Sequence, residues 1–536
     1  MSADKKTQNE PKVGVFLCHC GSNIGGVVDL PNVAEFVRKL DSVEYVEENL
    51  HTCSSEGIRR IQEAIKEKGL ERVVVASCTP RTHEPLFRDA VEEAGLNKYL
   101  FQMVNIREHD SWIHGNDHEA ATRKAKYLVQ MGVEKARYLE PETDPEIEIT
   151  PACLVVGGGV SGLTSALTVA SQGFQVYLVE KDDRLGGLVN ELHNVLPTEE
   201  SASELLKPMI AEVLNNEKIT VYTSSKVIAA EGFIGHFNVA IQTPAEPVTH
   251  EIGTIIVATG AEALKPIGYY EYGNHEAIMS QLELEAKLLD GSLTVPDNVT
   301  MIQCVGSMEE KGRTYCSRIC CGVAMKNAIQ LKKMNPDSDI TILYRDLQAY
   351  GVELERYYRD ALKLGIKFIK YVPEDLPHVT IDENNKVNIR VNDVLLGEIT
   401  EYSTGLLILS TPLIPREESK EIARHLRVPI TSDGFLLEAH PKMRPVDFAS
   451  DGIFLAGTAH SPKNIAESIT QAMAAASHAL IPLRKQKMKV EAILAEVQED
   501  MCIGCGACAS GCPFHAIDWG PTGFPRVNKA ACKGCG

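Results

Sequence analysis

The sequence predicts an α/β protein of three or four domains, and three features predict it. Short apolar strands alternate with helical patterns over the first 140 residues. A Gly-x-Gly-x-x-Gly run at 157–162 stands between an apolar strand and a helix, and a cysteine run at 502–513 opens a small tail of a different kind. At roughly 150 residues per domain, 536 residues exclude a single small module. Lys and Arg number 54 against 73 Asp and Glu, and the net charge of −19 argues against nucleic acid or an anionic membrane as the main partner. No apolar run approaches the roughly 20 residues that span a bilayer, so no direct membrane insertion is expected. The opening MSADKKTQNE lacks the apolar core of a secretory signal, which predicts a cytoplasmic location for the fifteen cysteines. In that reducing compartment metal ligation is a better use for them than disulfides.

Taken in order, residues 12–18, 43–50, 72–78 and 99–105 read as strands and 55–69 and 118–138 as helices, giving a first α/β domain with a parallel sheet over 1–145. The prolines and acids of 141–151 read as an exposed linker. Cys18, Cys20, Cys53 and Cys78 fall at or just after strand ends. All strand C-termini of a parallel sheet share one edge, where open α/β sheets bind ligands. Metal binding and plain structural use of a small side chain both remain open for these four. His19, His51 and His83, near the same edge, read as surface or packing residues.

Within 153–187, Gly157, Gly159 and Gly162 occupy the strand-to-helix turn and Glu180 ends the next strand. Glycines there let the backbone approach a pyrophosphate held at the helix N-terminus, and the acid can bond a ribose hydroxyl, so a dinucleotide site is expected. Two later segments, TIIVATGAE at 254–262 and a strand, glycine turn and helix at 451–476, resemble segments of two-dinucleotide-domain flavoproteins such as thioredoxin reductase. The resemblance implies FAD in a core split into 152–283 and 401–485, with Ala258, Thr259 and Gly260 in its ATG segment. It implies Arg184, Gly186 and Gly187 along the diphosphate, and Gly457 with the 465–476 helix at the ribityl chain and flavin pyrimidine. Thr458 stands where that family usually has Asp.

Between the two halves, 284–400 occupies the place of a second nucleotide domain, yet its strand at 298–307 opens onto CVGSMEEKGRTYCSRICCGVAMKNA with no second fingerprint. Direct reduction by NAD(P)H is therefore not expected. Cys304, Cys316, Cys320 and Cys321 lie within this stretch, and a helical reading puts Cys316 and Cys320 on one face at i, i+4 with Cys321 adjacent. Four soft ligands on a loop and a first helical turn suit a 4Fe-4S cluster, with structural zinc or buried free thiols as the alternatives.

The stretch 484–500 reads as a charged helix leading into a ferredoxin-like α+β tail at 490–536. Cys502, Cys505, Cys508 and Cys512 form C-x2-C-x2-C-x3-C-P at bacterial ferredoxin spacing, and Cys532 and Cys535 open a second copy. In two-cluster ferredoxins the fourth cysteine of a run serves the other cluster, which joins Cys512 to Cys532 and Cys535. The second run stops at Gly536, so truncation is the expectation. Completion by a partner or a non-protein ligand, or one cluster on Cys502 to Cys512 alone, are the alternatives.

CHCGSNIGGVVD (18–29), ASCTPRTHEPLF (76–87), the GGGVSG turn, the 304–328 segment and the tail together resemble the A-type subunit of CoB-CoM heterodisulfide reductase across nearly the whole chain. The related flavoprotein of the quinone-interacting membrane-bound oxidoreductase shares much of this arrangement. The resemblance implies an oxidoreductase carrying FAD and 4Fe-4S clusters, the FAD splitting an electron pair between low-potential ferredoxin and a disulfide-reducing partner reached through the clusters. It also implies B- and C-type subunits, a hydrogenase or formate dehydrogenase electron donor, and a larger, dimeric complex. Residues 188–300 contain no cysteine, so the extra ferredoxin insert of methanogen members is absent. The competing readings are an NAD(P)H-dependent flavoprotein of the glutamate synthase small-subunit type and a non-catalytic, cluster-holding scaffold.

Overall fold

The computed structural model describes residues 10–512, 514, 516–520, 523–532 and 534–535. They form two compact units. One comprises the described residues of Met1–Pro145, Glu491–Ala495 and Lys533–Gly536, and the other Glu146–Val490 and Glu496–Cys532.

In the first unit four parallel strands, Val13–Cys18, Val43–Asn49, Arg72–Ser77 and Phe101–Asn105, lie in the spatial order second, first, third, fourth. The two central strands, VGVFLC and RVVVAS, are almost wholly buried, and a near-continuous apolar run is what a strand covered by helices on both faces requires. The helix Ser55–Lys68 starts where the Ser54 hydroxyl accepts from the Gly57 N–H and stops at Gly69, whose φ of +60° suits glycine. The fourth strand is shorter than the 99–105 expected, because the Asn97 side chain accepts from the Tyr99 N–H at 3.0 Å and winds Lys98–Leu100 into a 3₁₀ turn. The direction of winding reverses between the first and third strands, so the crevice of this sheet opens beside Cys18 and Cys78.

After the fourth strand comes one π-helical turn, Arg107–Ser111, in which Asp110 is 0% exposed. Neither of its carboxylate oxygens has a hydrogen-bond partner among the described residues. Burial pushes its pKa up to about 6, with Lys124 opposing. A folded value above the unfolded carboxylate value of about 3.9 means the neutral acid fits the fold, an advantage complete below about pH 4 and lost as pH rises through 6. Asp110→Asn should therefore stabilise the full chain at pH 7.5 by on the order of 2 kcal/mol, and the gain should vanish near pH 4. Chemical denaturation of both proteins across that range measures the difference, and a gain constant with pH would contradict the assignment.

The second unit holds two five-stranded parallel sheets. In the first, Ala152–Val156 lies between Thr254–Val257 and Gln175–Val179, with Ile453–Leu455 and Ile219–Tyr222 outside. The order reverses at Ala152–Val156, which feeds the glycine turn. In the second sheet Asn298–Ile302 is the reversal strand, flanked by Leu406–Leu409 and Asp339–Tyr344, with Ile278–Ser280 and Lys367–Lys370 at the edges. This sheet reaches beyond the 284–400 read from sequence, because its edge strand Ile278–Ser280 is too short to show a period. Asn298–Ile302 also ends before Cys304, not at 307.

Three further sequence expectations need correction. The 141–151 stretch is not all linker: Glu146–Glu148 pairs antiparallel with Lys487–Lys489, setting Glu148 opposite Lys487 and Glu146 opposite Lys489. Such opposite-charge cross-strand pairs favour a ribbon. For the same reason 484–500 is not a helix. The helix Ile465–Lys485 ends at Gln486, whose φ is +57°, and 490–500 contains no helical residue. Finally, Cys316 and Cys320 do not share a helical face, since the helix begins at Cys320 and Arg318, at φ +65°, interrupts any earlier turn. Among the described residues no helix is long and apolar enough to cross a membrane.

Candidate functional site: a cavity between the glycine turn and the cysteine helix

A cavity of about 270 Å³ lies in the second unit, bounded by the turn after Ala152–Val156 and by the start of the helix Cys320–Met334. Gly157 has φ +107°, and a Cβ there would stand 2.3 Å from the Ala258 carbonyl oxygen, so only glycine fits between the turn and the Ala258-Thr259-Gly260 segment. At Gly162 a Cβ would meet the Gly157 oxygen at 1.8 Å, which explains the helix's close seat on the strand. Gly159 differs, because its nearest protein neighbour would be the Gly187 Cα at 4.0 Å. It borders open cavity space. Gly186 comes alongside through the hydrogen bond from its N–H to the Gly158 oxygen at 2.8 Å.

Glu180 is buried, its Oε2 accepting from the Gly158 N–H at 2.5 Å and its Oε1 from the Asp182 N–H at 2.9 Å. Each oxygen keeps a lone pair for a ribose hydroxyl. Gly186, Gly187, Ala258, Thr259, Gly260 and Thr458 also line the cavity, while Gly162 and Gly457 pack behind it. A Cβ on Gly457 would meet the Ser161 Oγ at 2.2 Å. Arg184 is exposed and is not among the lining residues, whereas Lys181 and Asp182 line the cavity. The residues fit a dinucleotide on direct grounds. The glycine cradle leaves room where a side chain would intrude, and the buried Thr259 Oγ1 and Arg416 Nε have no partner among the described residues.

At the far end the wall is made by Ile319, Cys320, Val323 and Lys326 with Ser410 and Thr411. Cys320 donates through Sγ to the Thr411 oxygen at 3.4 Å. The loop ahead of the helix carries three non-glycine residues in the left-handed region, Cys304 at φ +60°, Met308 at +54° and Arg318 at +65°. Arg318 fastens this loop to the other half of the core, pairing with Glu467 at 2.6 Å and donating to the Pro462 oxygen at 3.4 Å. Burial, reinforced by the Cys321 thiol, pushes Cys304 up to about 12. Burial drives Cys320 higher still, with Cys321, Cys304 and Cys316 adding to the effect, and burial also raises Cys321. Among the described residues no group of three or more Cys, His, Asp or Glu stands in metal-holding geometry. The fit to an iron-sulfur core rests on donor chemistry, since these thiols lie close enough to disfavour one another's anions and iron would offset that repulsion. The four cysteines stand at the reversal strand of their sheet, the position where a second nucleotide would otherwise bind.

Two features of this wall escape sequence reasoning. Lys326 and Glu285 form a buried ion pair at 2.5 Å, Lys326 also donating to the Asn194 oxygen at 2.8 Å and Glu285 accepting from the His193 N–H at 3.0 Å. Its one sequence signal is a lysine that follows Val323, Ala324 and Met325 on the buried first half of the helix. Lys463 lines the cavity as well, and nothing in its neighbourhood of serine, proline and asparagine marks it as buried.

In the first unit, burial and the neighbouring Cys18 and Cys20 raise Cys53, and burial pushes Cys78 up to about 11, opposed by Arg107. The Thr52 N–H donates to the Cys18 Sγ at 3.4 Å, Arg107 to the Cys20 Sγ at 3.6 Å, and the Cys78 Sγ lies 3.3 Å from the His83 Nδ1. His83 thus packs against this edge, the second of the two roles expected for it. In the tail, Cys502 and Cys512 are half-buried and Cys505 and Cys508 exposed around the short helix Ala507–Gly511. The Cys512 Sγ accepts from the Ala516 N–H at 3.3 Å. Cys532 is buried and Cys535 exposed, while Pro513 of the motif lies outside the described residues.

Two families match the chain: pyridine nucleotide-disulphide oxidoreductase over residues 151–479 and 4Fe-4S binding domain over 495–518. The A-type subunit of the H(2):CoB-CoM heterodisulfide,ferredoxin reductase of Methanothermobacter marburgensis is 38% identical, covering 98% of this chain and 93% of that protein. The A-type subunit of the H(2)/formate:CoB-CoM heterodisulfide,ferredoxin reductase of Methanococcus maripaludis is 35% identical over 95% of this chain and 91% of that one. Among solved structures, thioredoxin reductase from Lactococcus lactis aligns with 63% of this chain and all of its own at 21% identity and a TM-score of 0.46.

Proposed function

The chain belongs to the family of heterodisulfide reductase A-type subunits, oxidoreductases that carry FAD and 4Fe-4S clusters, and from that premise we propose that it relays electrons between an FAD in the cavity and a cluster on Cys304, Cys316, Cys320 and Cys321. One observation carries the reading: Cys320 and the glycine turn line the same cavity. FAD, when bound, exchanges electrons singly or in pairs and so joins two-electron donors to one-electron clusters. The chain's own residues do the holding. Glu180 takes the adenosine ribose, Gly157, Gly159, Gly186 and Gly187 leave room for the diphosphate, and Gly260 and Thr458 border the flavin half. Gly162 and Gly457 set the helix spacing that keeps this cradle open. Cys502, Cys505, Cys508 and Cys512, with Cys532 and Cys535, ligate the clusters of the tail, whose exposed cysteines suit exchange with an external acceptor.

In its full form the reading is electron bifurcation or confurcation, within a cytoplasmic complex, between ferredoxin and a heterodisulfide-reducing partner of B- and C-type subunits. Hydrogenase or formate dehydrogenase supplies the electrons. The names of the two relatives, which couple hydrogen or formate to a heterodisulfide and ferredoxin, support it. Anaerobic stopped-flow tests it against an NAD(P)H-dependent flavoprotein. Reduced ferredoxin should bleach the flavin of the loaded chain at least about a hundredfold faster than NADH or NADPH at equal concentration, a difference of roughly 2.7 kcal/mol in barrier. Rapid bleaching by either nicotinamide would reverse the conclusion.

A further inference from the structure

Lys463 sits between the turn Gly457–Ala459 and the helix Ile465–Lys485, lines the cavity and is 8% exposed. Burying an ammonium costs several kcal/mol unless a carboxylate pairs with it. Among the described residues none lies within ion-pair distance. Its three N–H bonds go instead to the Gly457 oxygen at 2.8 Å, the Ser461 oxygen at 2.8 Å and the Ser461 Oγ at 3.2 Å. These bonds fix the charge in place without neutralising it. Burial lowers its pKa to about 8, with Arg318 lowering it further and Glu467 and Glu438 opposing. The remaining titratable neighbour, His460, is engaged by Glu438 at 2.9 Å. A fixed, unneutralised cation in a cavity wall favours negative charge on whatever binds against it.

Glu180 lines the cavity at the end of the strand after the glycine turn, Cys320 lines it where its Sγ meets the Thr411 oxygen, and Lys463 lines it beside Gly457. Pro462, the residue before Lys463, accepts from Arg318, which lies between Cys316 and Cys320. With the adenosine ribose on Glu180, the portion of FAD that reaches Lys463 is the flavin ring.

We propose that Lys463 is the charge that makes the cavity prefer reduced over oxidised flavin, an inference that rests on the FAD reading above. When FAD accepts two electrons from two reduced ferredoxin-type clusters and one proton from solvent, each cluster is oxidised by one electron and the ring gains one negative charge. Lys463 keeps its proton and acts through its field, which makes it a positioning residue for charge and not an acid.

The test compares dissociation constants of oxidised and dithionite-reduced FAD for the flavin-stripped full chain in wild type, Lys463→Met and Lys463→Arg. Lys463→Met should weaken reduced FAD about tenfold more than oxidised FAD, which is ~30 mV for a two-electron couple, and Lys463→Arg should restore the ratio to within about threefold. An unchanged ratio, or equal weakening of both forms, overturns the proposal, since a merely structural lysine moves both constants together. Lys463→Gln is read on the same ratio if the Met variant binds too weakly to measure. A wild-type chain that binds no FAD in either state overturns the flavin reading itself.

Discussion

A Gly159→Val chain should fold, keep its iron and leave a desalting column without flavin. The backbone at Gly159, φ −73° and ψ −178°, is open to any residue, and a Cβ there touches no protein atom closer than 4.0 Å. The protein therefore tolerates the side chain while the cavity does not, because the added methyls project into space that a diphosphate needs. Affinity for FAD should fall at least about a hundredfold, roughly 2.7 kcal/mol. Loss of a ligand lowers apparent stability by itself, so the melting temperature is compared with flavin-stripped wild type, and the two should agree. Gly162→Ala makes the contrast, since its Cβ would meet a backbone oxygen at 1.8 Å and must disturb the fold. Full FAD occupancy in the Gly159→Val chain would remove the glycine turn from the site.

Replacing Cys320 by Ala should release about four irons per chain, together with the matching low-temperature EPR signal, and leave FAD bound. Cys320 begins the helix that lines the cavity, and burial together with the neighbouring cysteines pushes its thiol well above the ordinary range. A buried anionic ligand of that kind is stable only with a metal beside it, so the remaining three thiols should revert to neutral groups once the cluster is gone. Iron and flavin are counted on the same anaerobic preparation. Unchanged iron in the variant, or zinc in the wild type, would sink the assignment.

The glycine turn was legible in the sequence because its constraints are local: a positive φ at Gly157 and a helix pressed onto a strand at Gly162 admit no other residue. The buried parallel strands were legible as apolar runs. The ribbon of Glu146–Glu148 with Lys487–Lys489 was not, since each strand makes sense only beside a partner more than three hundred residues away. The left-handed Arg318 was hidden for a related reason. Its contacts with Glu467 and Pro462, not its neighbours in sequence, coincide with the break that separates Cys316 from the helix. Lys326 and Lys463 drew no reading from the sequence, because a charge is recognised as buried only when the opposing wall is known. Arg184, placed along the diphosphate by resemblance, is exposed and is not among the residues that line the cavity.

That charged ribbon also makes the flavin core a cassette. Because the chain enters at Glu146–Glu148 and leaves at Lys487–Lys489 on adjacent strands, the intervening residues form a closed excursion whose two ends meet at one point. Domains with neighbouring ends can be excised, permuted or grafted without dragging their flanks along. Segments inserted ahead of Glu146 or after Lys489 therefore lengthen the chain without displacing the crevice that holds the nucleotide.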